Sequence, residues 1–351
     1  MTTPSAHDFQ LNRPGTLIAA IPAVLGFVPE KSLVLVTLED GEMGAVLRVD
    51  LTEELCDHLD GMAAAAAAGY ADQAIAVIVD EDGAPCRMCN DEHRVLAVAV
   101  EDSLDEHGIE LLGTYVVDRV EAGGRWHCAD GRANRGIVDD PMASPLAMAA
   151  VLDGRRLYMR RADLQDVIAI ADPARAAALY AVISAHVDSV VDEDRRDADV
   201  RDDVEHARDA AAYVVDGRPP SDADMARLAH GLTDPQVRDT LYALAVGADA
   251  DAAESLWVTL SRSLPEPWRV EALVQLAFSA YARGDGPLAG VALEAALRCD
   301  PHHRMAGMLD QALQSGMRPD QIRELAFTGY RLAERLGIEL PPRITFGKRA
   351  G

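Results

Sequence analysis

Strand-like patterning stops near Ser144, and helical patterning fills the rest of the chain. A sequence that changes periodicity once is expected to fold as a sheet-containing part followed by an all-helical part. The length of 351 residues agrees, since one core of ordinary size does not extend over so long a chain.

The first part, residues 1–143, reads as an α/β domain. Leu17–Leu25 forms a short apolar helix, and Gly26-Phe27 with Pro29 makes a corner. Leu33–Leu38 is an unbroken apolar run, as expected of a strand buried on both faces. Turn residues at 39–44 lead into Ala45–Leu51, where Ala45, Leu47, Val49 and Leu51 point one way and Val46, Arg48 and Asp50 the other. Thr52 with Glu53-Glu54 predicts a capped helix through the alanine tract 63–68. Ala74–Val79 follows as a buried strand and Asp91–His107 as a helix. Ile109–Val120 and Arg125–Cys128 then flank Ala122-Gly-Gly124 as a second hairpin. The order after the first apolar helix is ββαβαββ, which predicts a mixed sheet with helices packed on it.

Beyond it the sequence predicts a helical connecting region (144–216), a helical domain (217–340) and a flexible tail (341–351). Ser144-Pro145 caps a short helix and Arg161–Ile170 starts another. Pro, Gly and Asp-Pro breaks then recur at spacings of about 14–20 residues, which suits a bundle of short antiparallel helices. The charged run Asp192–Asp203 reads as a solvated face or linker.

Acids outnumber bases 58 to 33, for a formal net charge of −25. Such a surface excludes nucleic acid and anionic membrane as main partners, because both need clustered Lys and Arg. The longest apolar run, Leu17–Val28, contains Pro22 and Gly26 and falls well short of the roughly 20 residues of a membrane-crossing helix. The first residues lack the basic stretch of a signal peptide. Five cysteines, an odd number, read as reduced thiols, so a cytoplasmic location is expected.

Cys86-Arg-Met-Cys89-Asn-Asp-Glu-His93 has C-x2-C-x3-H spacing on what reads as a loop, with His127 and Cys128 further on. Zinc held by Cys86, Cys89, His93 and Cys128 is one reading, since the metal takes four such ligands. Against it, adjacent residues on a strand point to opposite faces, which separates His127 from Cys128. A redox dithiol and thiols with no joint role are the other readings, the last being the default; no cofactor is otherwise implied. Arg48 and Asp50 share a strand face, so they pair with each other or, with Trp126 and His127, line a ligand pocket. Ser32 lacks a G-x-S-x-G elbow and reads as a turn hydroxyl. His302-His303 begins a helix with both rings exposed, and no phosphate loop or dinucleotide fingerprint occurs in the chain.

Two resemblances add to these readings. Leu276–Pro301 resembles a tetratricopeptide hairpin: Gly284-Asp285-Gly286 makes the turn, Ala289, Ala292 and Ala296 allow close approach, and Asp300-Pro301 restarts a helix. That likeness implies a protein partner, with Tyr281 and Leu288 as candidates for its surface. The stretch Pro22–Val36, Arg48-Val-Asp50, the Trp126 segment, Ala143-Ser-Pro145, Leu232–Asp239 and Leu256-Trp257 together resemble the actinobacterial family known as domain of unknown function 4192. The likeness covers nearly the whole chain and implies no catalytic residues. Many relatives carry an adjacent Cys pair after the tryptophan, where this chain has Trp126-His-Cys128. The expectation is a binding or scaffolding protein without catalysis, its helical part holding a protein partner. The alternative is a small-ligand-binding or hydrolytic α/β domain with a helical regulatory half.

Overall fold

The computed structural model describes residues 13–39, 41–131, 134–152, 155–190 and 195–344. The chain divides into two compact units, one reaching Asp163 and including Gln314–Gly316, the other holding Leu164–Leu313 and the residues from Met317 onward.

The first unit contains α1 (Pro14–Leu25), β1 (Ser32–Glu39), β2 (Glu42–Asp50), α2 (Leu55–Ala68), β3 (Gln73–Val79), α3 (Arg87–Glu106), β4 (Glu110–Val117), β5 (Arg125–Cys128), β6 (Arg135–Ile137) and α4 (Pro145–Leu152). The strands form one sheet in the order β2-β1-β3-β4-β5-β6. The pair β3–β4 is parallel and the other four are antiparallel, so the sheet is mixed as expected. Helix α3 is the crossover that parallel strands require.

Three layers result. Leu17, Ile18 and Ile21 of α1 pack on Val34, Val36, Val77 and Val117. On the opposite face Leu59, Met62, Val100 and Leu104 from α2 and α3 cover Leu33, Leu35, Ala76, Ile78 and Val116. Strand β1 supplies side chains to both layers, which explains its unbroken apolar run.

Several boundaries differ from the sequence reading. The short strand β6 lacks an apolar signal, since Arg135 and Ile137 are exposed. Helix α2 begins at Leu55, after the acids expected in its first turn. Helix α3 starts at Arg87 rather than Asp91, so most of the cysteine box is helical.

The second unit holds α6 (Pro173–Ser189), α7 (Asp197–Val215), α8 (Asp222–Thr233), α9 (Pro235–Leu241), a 3-10 turn (Tyr242–Val246), α10 (Ala250–Ser263), α11 (Arg269–Arg283), α12 (Gly286–Cys299), α13 (Arg304–Gln314) and α14 (Pro319–Leu336). A five-residue helix, α5 (Arg161–Gln165), lies at the junction. The expected connecting region 144–216 is not a separate body. Its α4 packs on α1, while α6 packs on α8 and α7 on α10.

Residues 192–194 of the charged run lie outside the described residues. The remainder is no free linker, because Arg195 bridges Asp203 and Asp234 at 2.8 and 2.5 Å. Of the expected tail, residues 345–351 lie outside the described residues. The part before them is docked: Ala248 donates to the Pro342 carbonyl at 3.1 Å and Ile344 to that of Val246 at 2.9 Å. Among the described residues no helix is long and apolar enough to cross a membrane.

Candidate functional site

The β3–α3–β4 unit builds a polar cluster at the carboxyl end of its parallel strands, where open α/β sheets place ligands. Asp80 directly follows β3, and its Oδ2 lies 3.2 Å from His93 Nε2. Nδ1 of the same ring is 3.4 Å from Asn90 Oδ1, which also receives His127 Nε2 at 3.0 Å. Asn90 in turn donates to the Ala84 carbonyl at 3.1 Å, which fixes its amide. Gly83 permits this closeness: a Cβ there would meet Asp80 Oδ2 at 2.0 Å and His93 Cε1 at 3.0 Å. Burial, ahead of the neighbouring His93, holds the His127 ring below the ordinary histidine value.

Cys86 and Cys89 stand at the rim of the cluster. Cys86 is the residue preceding α3 and Cys89 lies within its first turn, both partly exposed. Cys128 packs instead against the α1-side core. The four residues considered for zinc are therefore split between the two faces of the sheet. Among the described residues no three His, Cys, Asp or Glu side chains are grouped to hold a metal ion.

The pocket suggested by Arg48, Asp50, Trp126 and His127 is not assembled. Arg48 Nη2 meets Asp50 Oδ1 at 2.5 Å, and its Nε donates to Ser32 Oγ at 2.8 Å. Ser32 Oγ in turn donates a hydrogen bond to the Glu30 carbonyl at 2.5 Å, as expected of a turn hydroxyl. Trp126 lies four strands away across the sheet, roughly 19 Å at the usual strand spacing. It is a core residue, 7% exposed, with Tyr115 edge-on at 5.5 Å. Gly15 and Gly136 make room for it, since a Cβ on either would approach its ring to within 3.3 or 2.8 Å. His127 faces the other side, toward α3.

In the helical unit, Tyr281 and Leu288 are 3% and 4% exposed, so neither belongs to a surface. The close-packed α11–α12 hairpin takes both inward, and Tyr281 Oη donates to the Met317 carbonyl at 2.8 Å. His303 also differs from expectation. It is half-buried 3.3 Å from Glu271, and its Nδ1 accepts from the Ala306 amide, so it starts α13 where Asp300 was expected to. The open surface lies elsewhere. A groove of about 780 Å³ runs between α14 and the segment after it, lined by Phe327, Tyr330, Ile338 and Leu340 and by the charged Glu324, Arg331, Glu334 and Arg343. Arg343 stacks 4.6 Å from the Phe327 ring centroid and 5.3 Å from that of Tyr330.

Comparison with known families gives one match, to the family described as Domain of unknown function (DUF4192), over residues 14–320. The chain belongs to this family. No curated protein and no solved structure matches it.

Within this DUF4192 chain the opening signature has a structural role. Gly26 ends α1 at φ 75°, a left-handed conformation that suits glycine. The corner is pinned by Tyr158, whose amide donates to the Gly26 carbonyl at 2.8 Å and whose carbonyl accepts from Val28 at 3.2 Å. Sequence reasoning missed Asp80 and Asn90. Their signals were present: an acid at the end of a buried strand, and an Asn–His pair three apart on one helix face.

Proposed function

We propose that this chain is a cytoplasmic binding or scaffolding protein, without catalysis of its own, whose helical unit holds a protein partner. The observation that carries the reading is the groove of about 780 Å³ beside α14, with Phe327 39% exposed at its rim. An exposed aromatic ring beside a groove that mixes apolar and charged side chains is a typical anchor for a protein segment. The mutual pairing of Arg48 and Asp50 removes two groups from any ligand pocket on the sheet and so favours binding by the helices. With a net charge of −25, the chain favours a basic partner by electrostatic steering. Five free cysteines fit a reducing compartment. The actinobacterial origin and the tetratricopeptide likeness of α11 and α12 belong to the same proposal.

Affinity purification of the full chain from its own host tests this. A partner retained by the wild-type protein and lost by a folded Phe327→Asp variant supports it; identical partners for both contradict it.

A second reading, a small ligand at the carboxyl end of β3 and β4, draws on the Asp80–His93–Asn90–His127 cluster. Native mass spectrometry of protein from its own host separates the two. A bound small molecule lost on Asp80→Asn supports the second reading, and an unliganded mass opposes it.

A further inference from the structure

We propose that Cys86 and Cys89 form a redox-active dithiol that closes to a reversible disulfide by exchange with an incoming disulfide. The proposal goes beyond partner binding and does not depend on it.

The geometry comes from the start of α3. Residues at the cap and three places into a helix lie on one face, with Cβ atoms about 5–6 Å apart. A small rotation at the flexible cap residue brings that separation into the range a disulfide spans. Cys86 has extended backbone, with φ −87° and ψ 127°, so its side chain can turn back over the first turn. Cys86 immediately precedes α3 and Cys89 is its third residue, so both side chains leave the same first turn. Both are partly exposed, so a second molecule can reach them.

The two sulfurs are unequal. The Cys89 amide, then the Cys89 thiol and the Met88 amide, hold Cys86 below the ordinary thiol value. Interaction with Cys86, followed by burial and by nearby charges that include Asp80, holds Cys89 above it. An anion on the first sulfur and a proton on the second is the arrangement in which one cysteine attacks and the other resolves.

The step balances without a metal or further oxidant. The Cys86 thiolate attacks one sulfur of the incoming disulfide, and the other sulfur leaves as a thiolate. Cys89 then loses its proton, attacks the Cys86 sulfur and expels the remaining thiolate. The protein dithiol gives up two electrons and two protons, and the incoming disulfide becomes two thiols.

The test uses the full chain with oxidised glutathione as a small disulfide, followed by peptide mass mapping. The expected result is a mass loss of about 2 Da localised to the peptide joining Cys86 and Cys89, reversed by a thiol reductant. In Cys89→Ser, a glutathione adduct should accumulate on Cys86, whereas Cys86→Ser should form neither product. Below pH 8, Cys86 should alkylate about threefold or more faster than the exposed Cys56. A second arm exposes Cys89→Ser to host extract. A trapped protein adduct identifies a protein disulfide as the source, and glutathione-type adducts alone identify a small one. Three results would overturn the proposal: no Cys86–Cys89 bond in the wild type, alkylation of Cys86 no faster than that of Cys56, or stoichiometric zinc released when the pair is alkylated.

Discussion

In the α/β unit the buried layers are hydrocarbon and many charged pairs lie outside them, whereas in the helical unit arginines run between helices. Lys31 and Asp82 pair at 3.2 Å with side chains 66% and 83% exposed. Arg195, by contrast, joins Asp203 and Asp234 with all three side chains less than one-fifth exposed. Arg283 likewise holds both carboxylate oxygens of Glu254 at 2.8 and 2.9 Å and reaches Asp285 at 3.0 Å. A sheet is tied together by its hydrogen-bond ladder, but helices have no backbone bonds to their neighbours. In a chain with 58 acids and 33 bases, single arginines serve two carboxylates and so tie helices together.

Removing one anchor from each unit should separate these modes. The largest loss is expected for Trp126→Ala, about 3–5 kcal/mol in denaturant unfolding, because it empties a site shaped by Gly15 and Gly136. Arg283→Ala should cost about 3 kcal/mol, since it strands Glu254 and Asp285 with little solvent. The double variant Arg283→Met with Glu254→Leu should recover part of that loss. An unrecovered loss would mean that apolar packing cannot replace the charge link between α10 and α11.

Smaller changes sharpen the contrast. Gly83→Ala should cost about 1–3 kcal/mol, because its Cβ would displace the Asp80 carboxylate. Nitrogen-15 spectra of the His93 ring should shift with it, and unchanged spectra would argue against the cluster.

The smallest effect is expected from acid. Burial, more than neighbouring charges, lowers His127 in the sheet unit and His186 and His206 in the helical unit. The unfolded rings, with an ordinary value of 6.5, take up protons first as pH falls. Their contribution is therefore complete above about pH 6.5 and is lost progressively below it. Urea midpoints at pH 7.5 and 5.5 should show lower stability at the acid end, and the opposite slope would contradict this origin.

The readable parts of the fold were those where one layer dictates the pattern. Leu33–Leu38 and Ala74–Val79 are apolar throughout because helices cover both faces of the strands they form. Strand β6 was not readable, since a three-residue edge strand carries no buried side chain. The start of α3 was misread because Cys86 is not a residue that usually caps a helix. Arg48 and Asp50 were correctly placed on one face, but a shared face did not reveal that they bind each other. Tyr281 and Leu288 were assigned outward from a repeat likeness, although both helices of that hairpin bury more than one face. The groove beside α14 depends on residues 338–343 folding back, a long-range contact with no local signature.

The central claim is that the helical unit provides the binding surface. Site-specific photo-crosslinking of the full chain in host extract tests it most directly, with the probe at Leu325 beside the groove or at Tyr70 on the sheet unit. Both positions are exposed, at 42% and 81%. The account predicts one discrete protein adduct from position 325, abolished by Phe327→Asp, and none shared with position 70. An adduct from position 70 alone, or one from 325 that survives Phe327→Asp, would contradict it.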